Sequence, residues 1–243
     1  MSRADLLAEL LGDEPHELAA ALEGWLASRR FAAFVRENLT KVRKKLRGAQ
    51  DEASARDLLL ELTTAYGLTR DKRLTVVYEP TPAGSSRGPD FAVRFTTRQE
   101  VMLEVTRLRG PEPETLDPRR LAGVLALKLG QTVPDRANVL LIGVEGEPLT
   151  AEELAALMDE VRRDAETTDP AALLKRGFRH RGEYLRRLAA VSALVVRRAP
   201  RLDDPAAAEA PVTAWQNDAA RTALKPEVLR ALVTALGGGP RQR

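Results

Sequence analysis

The amino-acid sequence predicts an α/β protein in which helices flank both faces of a mixed β-sheet. Three short strands follow one another between residues 74 and 108 with no helical segment between them. A helix then leads to an apolar run at 138–144, which indicates a strand buried on both faces. Short connections favour antiparallel pairing, whereas a crossover helix joins parallel strands. This order of elements therefore predicts a mixed sheet between helical layers.

The residues before the first strand have the apolar spacing of amphipathic helices. Residues 2–27 predict one or two helices, and residues 31–47 predict one longer helix with its basic side chains mostly opposite the apolar face. A further helix is expected at 55–66. Ser54 precedes it as a candidate N-terminal cap, and Gly67 is expected to end it.

Residues 88–109 predict a β-hairpin, and the rest of the chain is organised around it. The first strand starts at Asp90 and ends at Phe95. A polar turn follows, and the second strand runs over 101–108. Because the two strands adjoin, the start of the first strand lies near the end of the second.

Glu104 is an acidic residue within the otherwise apolar second strand. Because side chains alternate along a strand, Glu104 shares one face with Thr106, while Leu103 and Val105 point into the core. A buried carboxylate needs a cation, a metal or a proton. Asp90 starts the neighbouring strand, so the two carboxylates together predict a seat for a hard divalent cation such as Mg²⁺.

Helices and strands alternate over the remainder of the chain. The expected elements are helices at 118–129, 150–165, 178–188 and 226–236 and a strand at 192–196. The first of these helices has Asp117 as its cap, and the second has Thr150 with Glu153 as a capping box. Residues 200–211, rich in proline and alanine, predict a flexible connection.

The composition excludes several kinds of site. The 243-residue chain contains no cysteine, so it has no disulfide, thiolate zinc site or cysteine nucleophile. His16 and His180 are too far apart in sequence to suggest a histidine-based metal site or triad. We see no signal peptide, and no apolar run approaches the ~20 residues of a membrane helix. We therefore expect a cytoplasmic protein that does not bind a membrane.

Positive charge is clustered although the net charge is only +3. Residues 29–47 and 175–198 are each rich in Lys and Arg and each contain a single acidic residue. Such clusters suit a polyanion, and the candidate nucleic-acid-binding residues are Arg43, Lys44, Lys45 and Arg47. The alternative is a solvated basic surface in a chain that is rich in arginine throughout.

A further pattern involves the hairpin and the helices before and after it. Pro89-Asp90 and Glu104-Val105-Thr106 lie on the hairpin, Glu61 lies on the preceding helix, and Lys128 with Gln131 belongs to the following one. In this pattern the chain resembles the PD-(D/E)XK nuclease superfamily, which has a restriction-endonuclease-like fold. The resemblance implies that Asp90 and Glu104 ligate Mg²⁺ or Mn²⁺, with Glu61 as an additional acid. It also implies cleavage of nucleic acid, with DNA favoured over RNA. The implied organisation is a helical extension at 1–54, a nuclease-like core at 55–198, and a linker, helix and tail at 199–243.

Thr106 departs from the superfamily pattern, which has a lysine at this position. A threonine hydroxyl carries no charge and cannot replace an ammonium group. One alternative is that the lysine has migrated, with Lys128 as its replacement. The other is an inactive nuclease-fold protein that serves as a nucleic-acid-binding or protein-interaction module. In both alternatives a partner protein is a candidate source of specificity, and the oligomeric state is open.

Two further alternatives remain at the level of the sequence. Glu104 can form a purely structural ion pair with Arg94 or Lys128. An unrelated α/β enzyme has little support, because the chain has no Gly-rich phosphate loop, no Ser-His-Asp arrangement and no dinucleotide-binding fingerprint.

Overall fold

A six-stranded mixed sheet lies between two layers of helices, as the sequence predicts. The computed structural model describes residues 2–12, 16–81, 88–96, 99–109, 118–146, 149–175, 177–204 and 211–237. The strands follow one another across the sheet in the order of the sequence. Their bounds are β1 Leu74–Tyr78, β2 Phe91–Phe95, β3 Glu100–Arg107, β4 Ala137–Val144, β5 Val191–Arg198 and β6 Val212–Gln216.

The pairing directions follow from the connections. β2 pairs antiparallel with both β1 and β3, the strands β3, β4 and β5 are parallel, and β6 pairs antiparallel with β5. Every residue of β4 is buried, which confirms the prediction of a strand covered on both faces. The parallel strands β3 and β4 are connected through a helix, as the expected crossover requires.

The helices divide into two layers with separate hydrophobic cores. One layer contains α1 Arg3–Leu11, α2 Ala19–Trp25, α3 Arg29–Glu37, α4 Leu39–Gly48, α5 Glu52–Arg70 and α10 Pro226–Leu236. The other contains α6 Pro118–Leu129, α7 Ala151–Thr167, α8 Pro170–Lys175 and α9 Arg181–Leu188. Alternation along the strands supplies both cores, so that Leu141 of β4 packs with the first layer and Ile142 with the second.

The N-terminal helices α1 to α4 pack into the same hydrophobic core as α5 and the sheet. Phe31 of α3 lies within 6.0 Å of Trp25 and 5.6 Å of Tyr66, measured between ring centroids. The division into an extension at 1–54 and a core at 55–198 stays a prediction. No helix among the described residues is both long enough and apolar enough to span a bilayer.

The single helix expected at 31–47 is two helices. Asn38 separates α3 from α4 with φ of −112° and ψ of 19°, outside helical geometry. Its side-chain amide donates to the Phe34 carbonyl over 2.9 Å, which satisfies an acceptor at the end of α3. An asparagine that bonds locally to the backbone competes with the helix, and the apolar spacing on either side does not reveal this break.

The boundaries expected for the helix at 55–66 are also wrong. The helix α5 begins at Glu52, because the Asp51 side chain accepts from the Ser54 amide over 2.7 Å and caps it. Gly67 lies inside α5 and does not end it. A β-carbon at Gly67 would lie 2.5 Å from the Ala235 carbonyl oxygen, so this glycine allows α10 to approach α5.

The strand β6 and the short helix α8 are absent from the sequence prediction. All residues of β6 are half-buried because it is an edge strand, so it lacks the apolar alternation that would indicate it. Its Trp215 packs under the guanidinium of Arg162, 5.0 Å from the ring centroid. The predicted connection at 200–211 lies partly outside the described residues, as do the predicted cap Asp117 and the hairpin turn at 97–98.

The close approach at Gly67 gives a first prediction. Gly67→Ala is expected to lower the free energy of unfolding by about 1–3 kcal/mol, because its methyl group overlaps the α10 backbone. Gly24→Ala in α2 is the matched control, since nothing lies within 4 Å of the position that a β-carbon would take there. The control is expected to be neutral or stabilising, by up to ~1 kcal/mol. Urea unfolding of both variants measures the difference, and equal effects would contradict the helix contact.

Candidate functional site

The β2–β3 hairpin places Asp90 and Glu104 next to each other. Phe91 and Leu103 form the last pair of the ladder, and Asp90 and Glu104 are the next residues beyond it. The Asp90 carboxylate accepts a hydrogen bond from the Val105 amide over 2.7 Å, which fixes its orientation. Directly opposed residues on antiparallel strands point to the same face, so the two carboxylates share one end of the hairpin.

Glu104 pairs with Lys128, which reaches it from the last turn of α6. The Lys128 ammonium lies 2.6 Å from Glu104 Oε1, and the two side chains are only 25% and 12% exposed. Arg94, the alternative partner, lies opposite Glu100 in the hairpin register. The other oxygen, Glu104 Oε2, is buried and has no hydrogen-bond partner in the described part of the chain. Gln131 Oε1 is likewise buried without a hydrogen-bond partner among the described residues. Glu104 and Gln131 line one narrow pocket beneath α6.

Glu61 approaches from α5, in the opposite helical layer. Its Oε1 lies 2.6 Å from the Lys45 ammonium and also accepts a hydrogen bond from the Tyr78 hydroxyl. Lys45 also lies 2.9 Å from Glu79 Oε1. Glu61 raises the pKa of Asp90, so its charge is felt at the carboxylate pair. One Glu61 oxygen is therefore committed to Lys45 and Tyr78, and the role of Glu61 as an additional acid at a metal stays a prediction.

Burial and mutual repulsion raise the pKa values of the acidic pair. Burial is the main cause that raises the pKa of Asp90 to about 7, and the charges of Glu104 and Glu61 add to it. The Val105 amide and Lys45 oppose this shift. Burial likewise raises the pKa of Glu104, although Lys128 counteracts it. The pair therefore holds a proton more readily than an exposed carboxylate and has a deficit of positive charge.

The pKa values of the groups around Glu61 shift in directions that preserve their contacts with it. Burial disfavours the Lys45 ammonium, but attraction to Glu61 and Glu79 outweighs it and raises the pKa of Lys45. Burial, followed by the charge of Glu61, raises the pKa of Tyr78 far above its ordinary value. Tyr78 therefore stays a neutral hydroxyl that donates to Glu61, and Lys45 stays a cation.

The donor set of Asp90 and Glu104 fits a hard divalent cation. Both residues offer carboxylate oxygens, and Glu104 Oε2 is a buried acceptor that lacks a donor. Among the described residues, no three acidic, histidine or cysteine side chains are arranged as a ready metal site. In proteins Mg²⁺ is commonly held by one or two carboxylates, and waters or substrate phosphates complete the octahedron.

Thr106 lies two residues beyond Glu104 on the same face of β3, as predicted. It is half-buried, and its hydroxyl makes no hydrogen bond to the described residues. Arg107 follows Thr106 on β3, so its side chain points to the other face of the sheet. It is buried in ion pairs with Asp57 and Glu145 at 2.9 Å and 2.7 Å. Lys128 is thus the lysine that the structure brings to Glu104.

The basic residues predicted to bind nucleic acid divide into two groups. Lys44 and Arg47 are exposed on α4 and Arg43 is half-buried, and none has a carboxylate partner among the described residues. Their assignment to nucleic acid stays a prediction. Lys45 differs, because its ammonium is held between Glu61 and Glu79. With these two contacts made, the assignment of Lys45 to nucleic acid also stays a prediction.

Tyr78 and Glu79 belong to the site, and the sequence analysis missed both. Tyr78 ends β1 and pairs with Phe91, the residue after Asp90, and Glu79 follows it directly. Glu79 has a φ of 44°, rare for a residue other than glycine, and its amide donates to the Asp90 carbonyl over 2.7 Å. The available signal was an acidic residue directly after a strand that pairs with the strand of Asp90.

Comparisons of this chain with protein-family models, with curated proteins and with solved structures give no match. The functional argument therefore depends on the geometry and electrostatics of the side chains around Asp90 and Glu104.

The raised pKa of Asp90 predicts a pH-dependent stability difference. Its value of about 7 exceeds the ordinary 3.8, so the stabilising contribution of the protonated carboxyl is complete below about pH 4 and is lost as the pH rises through 7. In metal-free buffer, the stability of Asp90→Asn relative to wild type is expected to increase from pH 5 to pH 8 by on the order of 1 kcal/mol. Urea unfolding at both pH values measures this, and parallel pH profiles would contradict it.

The position of Lys45 predicts unequal effects for two neighbouring lysines. Lys45→Met is expected to lower the free energy of unfolding by about 1–3 kcal/mol, because it leaves Glu61 and Glu79 without their shared cation. Lys44→Met, which removes an exposed lysine from the same helix, is expected to stay within about 0.5 kcal/mol of wild type. Chemical unfolding compares the two, and equal stabilities would show that the Lys45 ion pairs contribute nothing.

Proposed function

We propose that the chain is a metal-dependent nuclease that hydrolyses phosphodiester bonds in DNA, as a divergent member of the PD-(D/E)XK superfamily. One observation carries this proposal. Asp90, directly before β2, and Glu104 of β3 are half-buried carboxylates at the same end of the hairpin, with a lysine at hydrogen-bonding distance from Glu104. Retaining an underneutralised acidic pair in a sheet costs stability, and a bound divalent cation would offset that cost.

Asp90 and Glu104 are the residues that would hold Mg²⁺ or Mn²⁺. When bound, such an ion lowers the pKa of a coordinated water and polarises a phosphoryl oxygen. The chain prepares the carboxylates for this role through fixed contacts. The Val105 amide orients Asp90, and Lys128 orients Glu104 while leaving Glu104 Oε2 without a protein donor.

Lys128 supplies the positive charge that Thr106 does not. Its ammonium lies 2.6 Å from Glu104 Oε1, beside the position that a scissile phosphate would occupy if it contacted the acidic pair. A cation placed there stabilises negative charge that develops on the phosphate in the transition state. The Thr106 hydroxyl, on the same face of β3, adds a neutral donor.

Glu61 and Lys45 act on the same site from the other helical layer. Lys45 lowers the pKa of Asp90, whereas Glu61 raises it, so their ion pair limits the effect of Glu61 on the metal ligand. Lys45 is thereby a positioning residue for the acidic cluster and keeps three carboxylates compatible at one end of the hairpin.

The second candidate function is that of an inactive nuclease-fold protein that binds nucleic acid or a partner protein. The specific observation in its favour is the Lys128–Glu104 pair itself, which already neutralises one of the two acids without a metal. Thr106 at the usual lysine position also favours it. In this alternative Asp90 is protonated near neutral pH and the cluster is structural.

Calorimetric titration with Mn²⁺ tests the metal site. Wild type is expected to bind the ion, and Asp90→Asn and Glu104→Gln are expected to lose at least ~10-fold in affinity, because each removes one anionic ligand. Glu100→Gln is the matched control, since Glu100 lies on the same strand and face but pairs with Arg136 over 3.2 Å. The control is expected to bind like wild type. Absence of Mn²⁺ binding to wild type would contradict the nuclease and favour the inactive alternative.

Cleavage assays test the reaction itself. Wild type with Mg²⁺ or Mn²⁺ is expected to cleave plasmid, single-stranded DNA or RNA, with DNA favoured. Lys128→Ala is expected to reduce the rate by about 10²-fold or more, as for other removed electrostatic donors. Mn²⁺ binding without cleavage of any of these substrates would leave a cation site but overturn the proposed hydrolysis.

A further inference from the structure

A cleft of about 700 Å³ lies beside the Glu104–Lys128 pair, on the α6 side of the sheet. Thr106, Arg109, Arg120, Lys128 and Lys175 line it, among other residues. Lys128 lines this cleft and also contacts Glu104, and Thr106 follows Glu104 on the same strand face. The cleft therefore shares Lys128 with the candidate site.

The lining of the cleft carries more positive charge than its acids neutralise. Asp57 is the acidic residue in the described lining, and it already pairs with Arg107 and Arg109. Arg120 donates to the Arg109 carbonyl over 2.7 Å, and neither it nor the exposed Lys175 pairs with a described carboxylate. Within the described lining, these two cations have no carboxylate partner.

We propose that this cleft binds phosphate groups of the nucleic-acid strand that enters the candidate site, with Arg120 and Lys175 as phosphate contacts. The proposal rests on the proposed function and gives the substrate strand its path. A nucleic-acid strand presents repeated phosphates together with less polar sugars. The cleft offers the matching surface, because Leu127, 77% exposed, lies in the same wall as the cations.

The cleft fits this role better than the basic surface of α4. A phosphate in the cleft is one side chain away from Glu104, because Lys128 belongs to both places. Among the described ion pairs, Lys45 is the basic residue of α4 that contacts the acidic cluster. That ammonium is held by Glu61 and Glu79, and the ammonium of Lys41, the other α4 lysine at this place, donates to the Tyr78 and Glu79 carbonyls.

Fluorescence anisotropy with labelled single-stranded and duplex oligonucleotides tests the proposal, in EDTA and over a series of salt concentrations. The test variant is Arg120→Ala/Lys175→Ala. The matched control is Lys225→Ala/Arg230→Ala, which removes the same two residue types from exposed positions at α10, in the opposite layer. The test variant is expected to bind about 10-fold more weakly or worse, and its slope of log K against log[salt] is expected to fall by about 1.4–1.8. The control is expected to stay close to wild type.

Four outcomes overturn the cleft as the strand path. They are no oligonucleotide binding by wild type, unchanged binding by the test variant, equal losses in test and control variants, and a loss confined to Arg43→Ala/Lys44→Ala on α4. Equally tight binding of a polyglutamate peptide that depends on Arg120 and Lys175 overturns the assignment to nucleic acid.

A second variant separates binding from folding. Lys175→Glu changes an exposed side chain with no described contact, so its thermal melt is expected to match wild type while its oligonucleotide affinity falls. Normal affinity in this folded variant overturns the role of Lys175. The assay needs no cleavage, so cleft-dependent binding by a protein that cleaves nothing retains the cleft and rejects the nuclease. Cleavage that is unaffected by loss of the cleft cations retains the nuclease and rejects the cleft as the strand path.

Discussion

The charge balance at the end of the β2–β3 hairpin constrains the surrounding structure. Three carboxylates, Asp90, Glu104 and Glu61, act on one another there, and two lysines offset them. Lys45 comes from α4 in one helical layer and Lys128 from α6 in the other. The acidic cluster thus draws a cation from each side of the sheet, and both layers must be docked for both lysines to reach the acids.

The strand pairing and the local backbone contacts fix the geometry of this cluster. Asp90 and Glu104 directly follow the last pair of the hairpin ladder, and the Val105 amide holds the Asp90 carboxylate in place. Glu79, in a left-handed conformation after β1, donates its amide to the Asp90 carbonyl and its carboxylate side chain accepts from Lys45. Strain and raised pKa values at one place are common at functional sites, and the proposed nuclease gives both a purpose. An inactive fold explains the ion pairs but gives no reason for the unpartnered Glu104 Oε2 in the described part of the chain.

Much of the fold could be predicted from patterns of period two and 3.6. The alternation of Glu104 and Thr106 against Leu103 and Val105 follows from strand geometry, and the structure has these faces. The apolar run at 138–144 was recognisable as a central strand for the same reason. The edge strand β6 was not, because a strand that is half-buried throughout has no apolar alternation. The break at Asn38 depends on a side-chain bond to the Phe34 carbonyl, which periodicity does not register.

The sequence by itself determined the central hairpin, its acidic pair and the two-sided burial of β4, because each depends on neighbours close in the chain or on strand alternation. Only the tertiary structure decided which cation meets which acid. Lys45 looked like its neighbours Lys44 and Arg47 in a basic helix, yet its ammonium lies between Glu61 and Glu79. Gly67 looked like a helix end, yet it makes room for the backbone of α10. Both outcomes depend on how helices distant in sequence pack together, and the spacing of residue types along the chain carries no information about that packing.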